Sequence, residues 1–181
     1  YHRLLAQVGD FLVHRLDANV LFVPMERDDI RHAHGVLSHM ASAPRCRILH
    51  GDYSPGQILG LMQHLDLAVG MRLHFLIFAA LAGRPFLPLP YAGKVFDFAQ
   101  RTGVPALRGV EREAEGPLLA EVDRLWDERA ERAAAIAQQV AAIRERAWDT
   151  GKLLEPLLHQ VSSDRRTPVT VGSADCGPPA D

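Results

Sequence analysis

Lysine is nearly missing from this chain of 181 residues: only Lys94 and Lys152 occur, and every other basic residue is an arginine. Cysteine is as scarce. Cys46 and Cys176 lie far apart, which gives neither a disulfide framework nor a metal-ligand spacing and points to a reducing compartment. Long apolar runs are lacking too, the longest candidate, residues 73–82, being about half of the roughly 18 residues of a membrane span. No signal-peptide pattern is present. No glycine-rich loop of the dinucleotide or Walker type occurs, which disfavours NAD and ATP enzymes. Excess charge is also absent: 20 Lys plus Arg against 22 Asp plus Glu leave a net charge of -2. That balance argues against a mainly electrostatic nucleic-acid binder or a polybasic membrane-surface protein, and leaves local cationic pockets open.

What is present suits a soluble globular domain, 48% apolar and 23% charged with mean hydropathy -0.05. A chain of this length can bury about 70% of its unfolded surface without a disulfide or metal staple. It opens with Tyr1 inside a helical pattern of Leu4, Leu5, Val8, Phe11, Leu12 and Leu16, which reads as a fragment of a longer protein. Short runs at 20–23, 46–49, 67–69 and 85–89, apolar but for Arg47, read as strands, with a brief last one at 104–107. Helices fall between them. Asp28 and Asp29 supply N-cap and first-turn carboxylates before Ile30, Ser54-Pro55 cap the next helix, and Gly83 closes an apolar helix over 71–82 that should be buried all round. A long helix is expected from Pro117 to about Trp148, and residues 162–181 read as a disordered tail. Strands alternating with helices predict an α/β class: a Rossmann-like parallel sheet with helices on both faces, over residues 1–161.

In such sheets ligands bind outside the carboxyl ends of the strands. The junction at 70–74 is the most informative of these ends. An apolar strand reaches Gly70, which allows close backbone approach, and then a helix N-terminus carrying Arg72 and His74. Free amides and the helix dipole favour an anion there, Arg72 offers a planar fork for phosphate or carboxylate, and His74 can exchange a proton near neutral pH. The competing reading is that Arg72 pairs with a neighbouring carboxylate and His74 is a hydrogen-bonded core histidine. Glu26 and Asp29, after the first strand, are candidates for a ligand hydroxyl, although helix capping explains Asp29 equally well. His32, His34 and His39 share one helix at spacings that suit a solvated face rather than a metal.

The segment 65–74, ending Val69-Gly70-Met71-Arg72-Leu73-His74, continues through Phe78-Ala79-Ala80, Gly83-Arg84-Pro85 and Tyr91-Ala92-Gly93-Lys94. In these motifs the chain resembles the polysaccharide pyruvyl transferase family, most closely the branch that pyruvylates secondary cell-wall polysaccharide for S-layer anchoring. The apolar strand ending at Pro24-Met25 and the Tyr53-Ser54-Pro55 turn support the likeness, which covers about residues 1–150. Where the family commonly has Asp-Pro before the lysine, this chain has Ala92-Gly93.

The resemblance implies the C-terminal lobe of a two-lobed fold like that of GT-B glycosyltransferases, with the N-terminal lobe missing and the fragment inactive without it. It implies transfer of a pyruvyl group from phosphoenolpyruvate to a sugar of a cell-wall or surface polysaccharide, or a lipid-linked glycan, forming a cyclic ketal. His74 would be the catalytic acid, and Arg72, the Leu73 backbone and Lys94 would bind phosphoenolpyruvate. Glu26 and Tyr91 are further candidate ligand contacts. No cofactor and no metal is implied, and no nucleic-acid partner. The implied location is cytoplasmic, with peripheral attachment at the inner membrane face. Two other readings stand beside it: the nucleotide-sugar-binding lobe of a GT-B glycosyltransferase, and a non-catalytic remnant domain.

Overall fold

A computed structural model describes residues 1–89, 92–106 and 115–164. The chain divides into two units, Tyr1–Ala142 and Ile143–Asp181. In the first, α1 (His2–Leu16) leads to β1 (Val20–Phe22), α2 (Arg27–Leu37), β2 (Cys46–Ile48), α3 (Pro55–Met62), β3 (Ala68–Gly70), α4 (Leu73–Leu81), β4 (Phe86–Pro88), α5 (Gly93–Arg101) and α6 (Glu115–Asp127). Helix α7 (Arg129–Asp164) begins in the first unit. The class is mixed α/β.

The strands fall where the apolar runs place them, but they do not form one sheet. β1 pairs with β2 in parallel, Leu21 opposite Arg47, and β3 pairs with β4 in parallel, Val69 opposite Leu87; among the described residues each sheet has two strands. The expected continuous sheet is therefore split between β1 and β3. No strand forms over 104–106, and Leu107 lies outside the described residues.

Helices α1 and α2 pack on one another, as do α3 and α4. Phe86, Leu76, Ala79 and Val95 are fully shielded and form one core with Ile136 of α7; Leu4, Val8, Leu87, Leu118, Val122 and Leu125 form a second. Burying the Phe86 ring is worth about 2–3 kcal/mol. Helix α4, expected to be buried all round, buries only Leu76, Ala79 and Ala80, and leaves Leu81 45% exposed. It ends as its sequence requires, at Gly83 with φ +67°, a conformation open to glycine without a Cβ penalty.

The helix expected over 117–148 is interrupted at Glu128. Arg129 Nη1 donates to the Trp126 carbonyl at 2.7 Å, and its guanidinium lies 4.3 Å over the Trp126 ring. A side chain thus takes the carbonyl that an uninterrupted helix would offer to a backbone amide. In the second unit α7 runs on past Pro156 and beyond the expected boundary at 161, with Trp148, Leu153 and Leu154 exposed. Residues 165–181, which hold most of the expected tail and Cys176, lie outside the described residues.

Candidate functional site

The carboxyl ends of β1 and β3 converge. Beyond β3, Arg72 is the N-cap residue of α4; beyond β1, Glu26 is the N-cap residue of α2 and Asp29 its third helical residue. The cap is thus two residues earlier than Asp28 would place it, and Asp28 and Asp29 are both first-turn carboxylates. The Asp29 carboxylate accepts from the Met25 and Glu26 amides, both at 3.1 Å, so backbone donors fix its position. Arg72 then closes the gap between the two strand ends: Nη2 lies 2.6 Å from Asp29 Oδ1, and Nη1 lies 3.0 Å from Glu26 Oε1.

The two carboxylates differ in environment. Asp29 is 20% exposed, whereas Glu26 is 63% exposed and reaches Arg72 on a longer stem. Burial pushes the Asp29 carboxyl up, but the hydrogen bond from Arg72, the Met25 amide, the arginine charge and the Glu26 amide together hold it below the ordinary carboxylate value. Tyr1 stands within electrostatic reach of the pair. Burial and the Asp29 charge raise its hydroxyl pKa against the opposing pull of Arg72. Next to it, His2 Nε2 and His32 Nδ1 are 3.1 Å apart at the surface, and His32, His34 and His39 are all exposed, as expected of a solvated face.

Arg72 therefore adopts the paired arrangement that stood as the alternative to a free anion fork, and Glu26 is seated on Arg72. Leu73 and His74 are the first two residues of α4, where backbone amides have no carbonyl partner within the helix. His74 is exposed rather than a core histidine. Lys94 is the second residue of α5, exposed, and Tyr91 lies outside the described residues. Gly70 does allow a close approach, but the neighbour is the Phe75 ring, which a Cβ at this position would strike. The residue that spacing alone missed is Tyr1, brought to Asp29 across the fold with no local pattern to announce it.

A groove of about 1100 Å³ opens beside this junction, lined by Arg72, Asp29 and Tyr1 at one end and by the apolar side chains of β1 and β3 along its length. Leu73, His74 and Lys94 are not part of its wall. A sequence profile of polysaccharide pyruvyl transferases matches residues 1–93, which takes in β1 to β4 and the whole Glu26, Asp29 and Arg72 junction. The chain belongs to the polysaccharide pyruvyl transferase family. Membership gives polysaccharide pyruvylation as the general activity and a polysaccharide as the acceptor. Arg72, Leu73 and His74 lie inside the matched segment, and Lys94 lies just beyond it. Neither the curated proteins nor the solved structures contain a match to the chain. No helix among the described residues is long and apolar enough to cross a membrane.

Proposed function

We propose that the chain is the C-terminal, GT-B-like lobe of an enzyme that transfers a pyruvyl group from phosphoenolpyruvate to two hydroxyls of a sugar in a cell-wall or surface polysaccharide. The supporting observation is Arg72. It is a family-segment arginine at a strand's carboxyl end, on a helix N-terminus, held in place by one part-buried carboxylate and one exposed one. A trianionic donor is attracted by the guanidinium and by the amides of Leu73 and His74. Glu26, the more exposed of the two carboxylates on Arg72, is the one such an anion would displace. Asp29 stays tied to its amides and keeps the fork oriented.

The chemistry then needs an acid. His74 delivers a proton to the methylene carbon of the donor, and C2 becomes electrophilic as its double bond is consumed. One sugar hydroxyl attacks C2 and loses its proton. The second hydroxyl displaces phosphate from C2, so a carbon–oxygen bond to phosphate breaks as the ketal closes. Lys94, near the start of α5, neutralises the departing phosphate. The location in keeping with this donor is the cytoplasm, with the work done at the inner membrane face, and the S-layer anchoring branch is the proposed sub-family.

Calorimetry of the full-length protein tests the donor. Heat with phosphoenolpyruvate and none with UDP-sugars agrees with the proposal; heat with a UDP-sugar alone would identify a glycosyltransferase lobe, and no heat with any donor a remnant domain.

A further inference from the structure

The split between the two sheets has a specific shape. In a parallel ladder the backbone groups of successive residues point to alternate sides. The Leu49 amide donates to the Phe22 carbonyl at 2.9 Å, so Phe22 faces β2 and the N–H and C=O of Leu21 face away from it. On the other side, the Ala68 amide donates to Pro85 at 3.1 Å and the Leu89 amide to Gly70 at 2.8 Å, which turns the N–H and C=O of Val69 away from β4. Leu21 and Val69 both line the groove. Among the described residues neither edge has a strand partner, so two strand edges face one apolar slot, and such edges are costly unless paired or covered.

Burial shows the same gap. β4 is buried at all three residues, whereas the equally apolar β1 is only half-buried throughout, and in β3 Val69 and Gly70 are half-buried as well. In a parallel sheet with helices on both faces the central strands are the most buried. Here the deficit falls on the two strands beside the slot.

The chain's path gives the direction. The ion pairs of Arg72 place the carboxyl ends of β1 and β3 together, and Tyr1 lies there too, among the groove-lining residues and beside Asp29. α1 runs from that end back toward the start of β1 and packs on α2, while α3 packs on α4. A doubly wound sheet with strand order 3-2-1-4-5 has this arrangement when its first strand is taken away: β2, β1, a vacant place, β3, β4. A strand in that place, parallel to its neighbours, would end at the carboxyl edge where Tyr1 begins α1, and the connection through α1 to β1 would be a right-handed crossover.

We propose that the groove between β1 and β3 is the seat of a central fifth strand, of about five residues, supplied by polypeptide of the same protein that enters at Tyr1. Leu21 pairs with one edge of that strand and Val69 with the other, joining the two small sheets into one. The Arg72 junction then sits at the switch point of the completed sheet. This proposal does not depend on the donor or the reaction.

Cysteine cross-linking in the full-length protein, with Cys46→Ala and Cys176→Ser as background and folding checked by circular dichroism, tests it. Strands two places apart are separated by about 10 Å, beyond disulfide reach. The expected result is that Leu21→Cys forms no disulfide with cysteine placed at Leu67, Val69 or Met71. One short run of positions upstream of Tyr1 should cross-link both to Leu21→Cys and to Val69→Cys within a single molecule. The amides of Leu21 and Val69 should also exchange at least about a hundredfold more slowly than in the chain beginning at Tyr1. A direct link between position 21 and positions 67–71 would mean that the sheets close on each other and would overturn the proposal. So would fast exchange at both amides, the absence of any shared upstream partner, or links formed only between molecules.

Discussion

Arg72 Nη2 stands 2.6 Å from Asp29 Oδ1, tying the carboxyl end of β3 to the first turn of α2. The bond is charge-assisted and its acceptor is held by two backbone amides, so removing the charge costs more than an exposed ion pair would. Asp29→Asn keeps the cap acceptor and loses the ionic contact. It should destabilise the chain by about 2 kcal/mol, read as a fall in the denaturant midpoint at unchanged slope. A midpoint equal to the parent's would show that the contact does not hold the two strand ends.

The pH dependence follows from the same carboxylate and from Asp10. Burial raises the Asp10 carboxyl, but hydrogen bonds from the Ser42 side chain and from the Ala41 and Ser42 amides, with the nearby His14, hold it below its ordinary value. Both groups thus have folded-state pKa values below the unfolded 3.8. Their stabilisation is complete above that value and is lost as pH falls through it toward the folded values. Unfolding free energies measured between pH 7 and pH 2.5 should drop below about pH 4. The double variant Asp10→Asn, Asp29→Asn should show a shallower drop; an identical slope would place the acid sensitivity elsewhere.

Donor binding separates the roles of Glu26 and Arg72. Glu26→Gln removes an exposed anion from beside Arg72 and should tighten phosphoenolpyruvate binding by about threefold or more, on the order of a screened surface pair. Arg72→Lys loses the planar fork and should weaken it by about tenfold or more. Isothermal titration of both variants in the full-length protein reads the two effects, and the same sign of change in both would contradict the assigned positions.

Away from the site, Glu121 is a nearly buried carboxylate 3.1 Å from both Arg124 and Arg132, with Arg132 also 2.8 Å from Glu128. Removing it leaves Arg132, which is 17% exposed, with Glu128 alone beside the α6–α7 break. Glu121→Ala is expected to cost about 2 kcal/mol, and Arg124→Ala, at the exposed side of the network, under about 1 kcal/mol. Equal losses in thermal unfolding would refute this ordering.

Legibility in the sequence followed the range of the forces involved. Each strand is visible as a short run, apolar but for Arg47, bounded by Pro or Gly, and the caps at Ser54 and Gly83 are visible because their partners are a few residues away: the Gln57 amide donates to Ser54 Oγ at 3.3 Å. Pairing was not visible, because whether Leu21 finds a neighbour depends on residues outside its own run. Arg72 stands out in the sequence by its position at a strand's carboxyl end, yet its engagement by Glu26 and Asp29, some forty-odd residues upstream, is a tertiary contact that spacing does not encode. The Glu128 interruption is similar in kind. Helical periodicity continues through it, and only the Arg129 guanidinium on the Trp126 carbonyl reveals the break.

The most direct test of the proposed activity is pyruvyl transfer by full-length protein carrying His74→Ala, assayed with phosphoenolpyruvate and a polysaccharide acceptor. Phosphate release is followed together with the ketal methyl signal by NMR. The parent should release one phosphate for each ketal formed, and His74→Ala should lose at least about a hundredfold in kcat, the usual weight of a general acid, while still binding the donor within a few-fold of the parent. Ketal formation by His74→Ala within a few-fold of the parent, or a parent that forms no ketal from phosphoenolpyruvate, would contradict it.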